Sequence, residues 1–307
     1  MDNKQIVVSK GSALTPQQEA IMTFTKKIDS NYVQTQLKNV LGKNAGTFAT
    51  SIVEVFTNDT QLQQCPVNKV VQEAIKAATL KLPLNKQLGY AYLITFKNYN
   101  KQTRQVEPTP TLVIGYRGYI QLAMRTGQYR NINADVVYEG ELNKADKLTG
   151  RIDLSGEKTS DKVEGFFAHF ETINGFTKTL YMSLAEMASY ALKYSPSFKT
   201  KDAPTVNQLC DIAQDQAVNG PTQGVVGWKG DFISMAQKTV LRRLLSKYGY
   251  LSIEMMSALA NDEETQVQDA EVVRDEAVME EKPVFSAKAI IEEAQEAEAE
   301  EVPEMPI

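Results

Sequence analysis

The stretch TLVIGYRGYIQLAMRTGQYRNINADVVYEGE, residues 111–141, holds the change of period on which the fold turns. TLVIGY is an apolar, β-branched run of strand length and NINADVVYEGEL reads as another; between them the spacing becomes that of a helix. At 3.6 residues per turn Tyr116, Tyr119, Ile120, Ala123 and Met124 share one face, and Arg117, Gln121, Arg125 and Gln128 the other. One face is set to pack, with Tyr116 and Tyr119 fixing the helix to a sheet, and the other to donate hydrogen bonds. The two guanidinium groups leave this helix about 12 Å apart at ~1.5 Å per residue, a span of about three to four stacked nucleotides. An ordinary solvated helix face is the alternative reading of the same residues.

Upstream, GYAYLITF at 89–96 is aromatic and β-branched, so it pairs with TLVIGY as a hairpin whose connection is the long polar segment KNYNKQTRQVEPTP. Downstream, TGRIDLSG, VEGFFAHFETI and TKTLYMSL continue as short runs separated by Gly, Asn and Asp, a β-meander around one helix. Helical patterns flank this middle third. Thr15-Pro16 is an N-cap followed by proline at the first helical position, and Pro66 opens a helix with an apolar stripe of Val67, Val70, Val71, Ala74, Ile75 and Ala78. Ser183 and Glu186 form a capping box ahead of MASYALKYS, which Pro196 ends. In FISMAQKTVLRRLLSKYGYL, Met235, Val240, Leu241, Leu244, Leu245 and Tyr248 face inward. The expected fold is α+β: a small antiparallel sheet or hairpin packed against helices, with a helical N-terminal lobe and late helices. Its divisions are a disordered N-terminus at 1–14, a core at 15–260 and a disordered acidic tail at 261–307.

The net charge of −5 hides an uneven distribution. Residues 261–307 carry sixteen acidic and three basic side chains, a net of −13, which leaves +8 on residues 1–260. A basic body with an acidic tail points to a polyanionic partner. The tail reads either as a solubility device or as a polyanion mimic that competes with DNA. No run of eighteen apolar residues and no secretory leader occurs, so a soluble, cytoplasmic protein is expected, away from membranes. Cys65 and Cys210 are too few and too far apart for a disulfide framework or a CxxC metal site, and buried structural thiols are expected.

Several enzyme classes lack their required residues. His169 is the one histidine and alternation places it on a strand, which removes histidine triads and HExxH zinc sites. Neither GxxxxGK[ST] nor GxGxxG occurs; the nearest piece, GVVGWKGD, offers Lys229 in the wrong order. A Mg²⁺ nuclease needs only converging carboxylates. Its short [DE]xK pattern falls at Asp2–Lys4 and Glu280–Lys282, both in expected disorder, while Glu139 and Glu141 read as a polar strand edge.

Cations interleaved with aromatics remain. Lys81, Lys86 and Lys97 flank a strand carrying Tyr90, Tyr92 and Phe96, a combination that suits single strands because cations match backbone charge while bases stack on rings. The alternative is that these rings are core and the lysines keep the ends soluble. Lys238, Arg242, Arg243 and Lys247 lie on outward faces of the late helix. Lys247 offsets the macrodipole at the helix end; Lys238, more than two turns upstream, does not, so a charged ligand is considered there.

The order of segments resembles the RecT/Redβ family of phage single-strand annealing proteins, the RecT branch in particular. The matching pieces are LKLPLNKQLGYAYLITF, TLVIGYRGYIQLAMRTGQYRNINADVVYEGE and GWKGDFISMAQKTVLRRLLSKYG, which with their spacing cover roughly residues 40–250. The resemblance implies a protein that is not an enzyme and needs no cofactor. It would bind single-stranded DNA, pair complementary strands into duplex without ATP, and assemble as a homo-oligomer, ring or filament. It also implies a phage exonuclease partner, with docking to host single-strand-binding protein left open because the tail does not look like a folded recruitment domain. Backbone contacts carried over are Lys86, Lys97, Arg117, Arg125, Lys238, Arg242 and Arg243, while Lys81, Lys199, Lys201 and Lys229 rest on charge and loop placement. A Mg²⁺-dependent nuclease and a DNA-independent structural phage assembly protein are the two rival functions.

Overall fold

Thr15 begins the first helix by a reciprocal cap: its hydroxyl accepts from the Gln18 amide at 3.3 Å and the Gln18 side chain accepts from the Thr15 amide at 2.9 Å. The computed structural model describes residues 15–100, 104–146, 148–198 and 203–268, and the expected disorder of 1–14 and of the tail beyond 268 falls outside them. The N-terminal lobe is α1 (Pro16–Ile28), α2 (Asn31–Leu41), α3 (Ala45–Asn58) and α4 (Val67–Thr79). Its centre is Phe24 stacked on Phe56 with ring centroids 4.0 Å apart. Pro66 sits at the N-cap of α4, and Val70, Val71, Ala74, Ala77 and Ala78 form the buried stripe.

Strands β1 (Ala91–Asn100) and β2 (Gln105–Ile114) pair antiparallel from Ala91↔Ile114 to Asn100↔Gln105. The expected long connection is therefore wrong: most of KNYNKQTRQVEPTP is ladder. Two prolines are tolerated because this ribbon has open edges. The Leu112 amide points away from β1 and donates to the Glu73 carboxylate at 2.8 Å. Pro108 and Pro110 share its parity, so they lack only amides that the ladder does not use.

The chain then enters α5 (Tyr116–Arg125) through Gly115. A Cβ at Gly118 would overlap the Tyr90 carbonyl oxygen, and one at Gly115 would overlap that of Gly89. Both glycines of GYRG thus exist to let the helix start lie on the backbone leading into β1. Tyr119, Leu122 and Ala123 are buried, whereas Met124 is exposed.

Strands β3 (Tyr129–Tyr138), β6 (Val163–Thr172) and β7 (Thr177–Ser183) form an antiparallel sheet in that order. Between β3 and β6 the chain makes a small ribbon of β4 (Lys144–Asp146) and β5 (Arg151–Asp153). Among the described residues the strands thus fall into three sheets, one of them a short meander with an excursion. The later helices are α6 (Leu184–Tyr194), α7 (Val206–Asn219), α8 (Phe232–Tyr248) and α9 (Ile253–Gln268). Helix α8 packs on β6, β7 and β3 and also touches α5 and α7, burying Phe232, Ala236, Val240, Leu241, Leu244 and Leu245. Met235 is only partly buried and Tyr248 is exposed, so the inward face is turned towards Phe232 and Ala236.

The boundary expected at 260 lies inside α9, whose Met255, Ala258, Leu259 and Asp262 are buried at helical spacing. Among the described residues no helix is long and apolar enough to cross a membrane. Both cysteines are free thiols, Cys65 buried and Cys210 half-buried.

His169 stands on β6 with Nδ1 2.8 Å from the Thr179 hydroxyl on β7. Partial burial pulls its pKa below 6.5, with the Glu171 charge opposing. The folded state therefore favours the neutral ring, and stability is complete above pH 6.5 and lost as pH falls from there through the folded value. The urea midpoint of the wild type is expected to fall further between pH 7 and pH 5 than that of His169→Gln; equal falls would remove this assignment.

Candidate nucleic-acid interface

The two arginines of α5 have different surroundings. Arg117, in the first turn, is exposed; its Nε donates to the Tyr116 hydroxyl at 3.2 Å and its guanidinium lies 5.8 Å from that ring. Tyr92 and Gly89 border it. Burial, then the charge of Asp231, raises the pKa of the Tyr92 hydroxyl, so it remains a neutral donor. This is a cation standing among rings.

Arg125, in the last turn, is already engaged. Its Nη1 and Nη2 donate to the carbonyls of Leu80 and Lys81, each at 2.9 Å, where α4 ends. A cation there satisfies orphan carbonyls and offsets the helix dipole. Lys81 follows the α4 C-cap at φ 53°, with its amide bonded to the Ala78 carbonyl and that of Leu82 to Ala77, the Schellman pattern that favours glycine. Lys81→Gly therefore removes the cation while relieving backbone strain. Its expected result is stability unchanged or raised by about 0.5–1 kcal/mol. Because the variant has one cation fewer to meet a phosphate, its affinity for single strands is expected to fall about fivefold at ~0.1 M salt. Urea titration and anisotropy read the two separately.

Lys86 pairs with Asp59 at 2.9 Å. Burial would raise the Asp59 carboxyl; the Lys86 ammonium and the Leu62 and Gln61 amides outweigh it and lower the pKa. Lys97 is exposed on β1 opposite Pro108. Lys199 and Lys201 lie outside the described residues, as do the two [DE]xK stretches. Glu139 and Glu141 accept hydrogen bonds from the Ser160 hydroxyl and the Tyr138 amide, both at 2.7 Å.

Aromatics and cations meet again around α6. Tyr190 and Tyr194 are four residues apart with ring centroids 4.5 Å apart. The Arg243 guanidinium lies 5.1 Å from the Tyr190 ring and donates to Met182 Sδ at 3.0 Å, while the Lys193 ammonium is 5.1 Å from the Tyr194 ring. These tyrosines are the wall between two clefts. An open one of about 560 Å³ has Tyr181, Glu186, Lys193 and Arg243 in its lining. A narrower one of about 120 Å³ brings Phe96 of the hairpin to Trp228, Lys238 and Asp262. Lys229, next to Trp228, is exposed and 5.8 Å from the Phe198 ring.

Lys238 and Arg242 are not open cations in the free chain. Lys238 Nζ lies 3.0 Å and Arg242 Nε 3.6 Å from Asp262 Oδ2, with side chains 12% exposed for each cation and 5% for the acid. The Tyr119 hydroxyl donates to the same carboxylate at 2.9 Å. Complete burial, and then the Asp262 charge, drives the Tyr119 pKa far up, so it stays a donor. The Tyr119 hydroxyl thus ties α5 to α9.

Sequence reasoning missed Asp262, Tyr190, Tyr194 and Gln216. Signals existed for some: Met255, Ala258, Leu259 and Asp262 continue one helical face past 260, and the tyrosines stand at i, i+4 beside Lys193. No local signal marks Gln216, whose partners lie on other elements.

Known proteins resemble this chain along most of its length. The RecT family model matches residues 46–276, a span that contains every cation described above. The "Uncharacterized protein YqaK" of Bacillus subtilis (strain 168) is 36% identical over 259 residues, covering 84% of this chain and 78% of its own. "Protein RecT" of Escherichia coli (strain K12) is 30% identical over 207 residues, covering 66% of this chain and 65% of its own.

Proposed function

The chain belongs to the RecT family, and from that premise we propose that it binds single-stranded DNA and anneals complementary strands in phage-type recombination, without ATP and as an oligomer on the DNA. The observation that carries the reading is the pairing of exposed cations with rings at separate points: Arg117 with Tyr116, Arg243 with Tyr190 and Lys193 with Tyr194. Cations neutralise phosphate repulsion, and rings offer bases a sequence-blind stacking surface. Pairing itself then supplies on the order of 1.4 kcal/mol per step, so a matched register is retained and a mismatched one dissociates. No covalent step is required. The reading extends to a bacterial cytoplasmic setting, a phage exonuclease that generates the strands, and the host single-strand-binding protein as a further contact.

Mixing two fluorescently labelled complementary oligonucleotides without nucleotide cofactor tests this. Duplex is expected to form faster with the protein than without, at unchanged strand length and in a salt-sensitive way. Shortened strands would support a Mg²⁺ nuclease, and polymers that ignore DNA a structural assembly protein; either outcome, or no retention of strands at low salt, overturns the annealing reading.

A further inference from the structure

The Lys238, Arg242 and Tyr119 groups converge on one carboxylate, Asp262, which arrives on the final helix of the described chain. Both cations face this carboxylate with little exposure to solvent. A buried ion pair of this kind is often no more stabilising than apolar packing, and its best-attested use is to set a register or a switch. Beside it opens the narrow cleft with Phe96, Tyr190, Tyr194 and Trp228 in its wall. An anion site bordered by rings matches one nucleotide unit, phosphate on the cations and base on the aromatics.

The same helix repeats the arrangement one site away. Glu254 shares a small cleft with Lys81, Arg125 and Ser252. Hydrogen bonds from its own amide and the Ser252 side chain, and then the charges of Lys81 and Arg125, lower its carboxyl pKa. Eight residues separate Glu254 from Asp262, about 12 Å along a helix. Helix α9 thus presents one acid to each of two cation pairs that the sequence assigns to DNA.

Resting on the annealing reading, we propose that Lys238, Arg242 and the Tyr119 hydroxyl form a phosphate subsite for single-stranded DNA, that the adjoining aromatic cleft takes the base, and that Asp262 is the internal occupant which α9 withdraws when a strand enters. The exchange is charge-neutral: a phosphodiester carries the same single negative charge as the carboxylate it replaces. The apparent dissociation constant is then the intrinsic one divided by the fraction of molecules in which α9 is released.

The test uses the full-length protein and a labelled oligothymidylate. D262N is expected to bind about tenfold more tightly than wild type at low salt, as it would if the released form is about a tenth of the population. E254Q should show a smaller gain in the same direction. In the wild type, amide hydrogen exchange across α9 should quicken on adding the oligonucleotide. A wild type that binds while D262N binds equally or less well, with α9 exchange unchanged or slowed, overturns this proposal and leaves annealing intact. If D262N does not fold, the α9 exchange of the wild type decides alone. A wild type that fails to bind the probe overturns the annealing reading and this one with it.

Discussion

Gln216→Ala is expected to lower unfolding free energy by about 3 kcal/mol, the cost of leaving buried amide and carbonyl groups without partners. Gln216, buried on α7, donates from Nε2 to the carbonyls of Lys229 and Gly230 at 2.9 and 3.0 Å. Its Oε1 accepts the Phe232 amide at 2.6 Å. That amide is one of the orphan donors in the first turn of α8, and Phe232 is fully buried against Trp228 and Phe166. One side chain therefore closes the GWKGD turn and starts the central helix. Trp228 is the sole tryptophan, so its emission reports the turn directly. A red-shifted native spectrum should accompany the loss in a urea titration; a change under ~1 kcal/mol with unshifted emission would contradict the clamp.

Replacing Arg117, Lys229 and Arg243 together by alanine is expected to weaken oligonucleotide binding about 100-fold at ~0.1 M salt. Each phosphate contact to a single strand contributes a slope of about 0.7 in log K against log salt, so three remove about two powers of ten there. All three side chains are exposed and none holds a buried acid, so stability should change by under ~1 kcal/mol. Anisotropy across a salt series reads both affinity and slope. Loss of affinity with an unchanged slope would mean that the triple variant disturbs something other than phosphate contact. Arg125 is left out of the set because its fork carries the end of α4.

Much of the architecture was legible in short windows. Thr15 caps its helix ahead of Pro16, and Ser183 caps its own by the spacing to Glu186. The strand, helix, strand reading of 111–141 holds, and the glycines of GYRG gain a cause in the backbone they touch. The hairpin was foreseen with the wrong connection, since Pro108 and Pro110 look like loop until their unused amide positions are seen. The short runs read as a β-meander around one helix, and a side ribbon of β4 and β5 interrupts it.

The candidate interface was legible as chemistry and not as geometry. Sequence alone determined that cations and aromatics recur in the matched segments, because residue type and helical or strand period are local properties. Only the tertiary structure decided which cations stand open and which are engaged. Arg125 reaches back 45 residues to the Leu80 carbonyl, Lys238 forward 24 to Asp262, and Tyr119 forward 143 to the same carboxylate. A charge is spent or available according to what lies within a few ångströms of it, and that neighbour is chosen by the packing of α4, α5, α8 and α9, not by the residues adjacent in the chain.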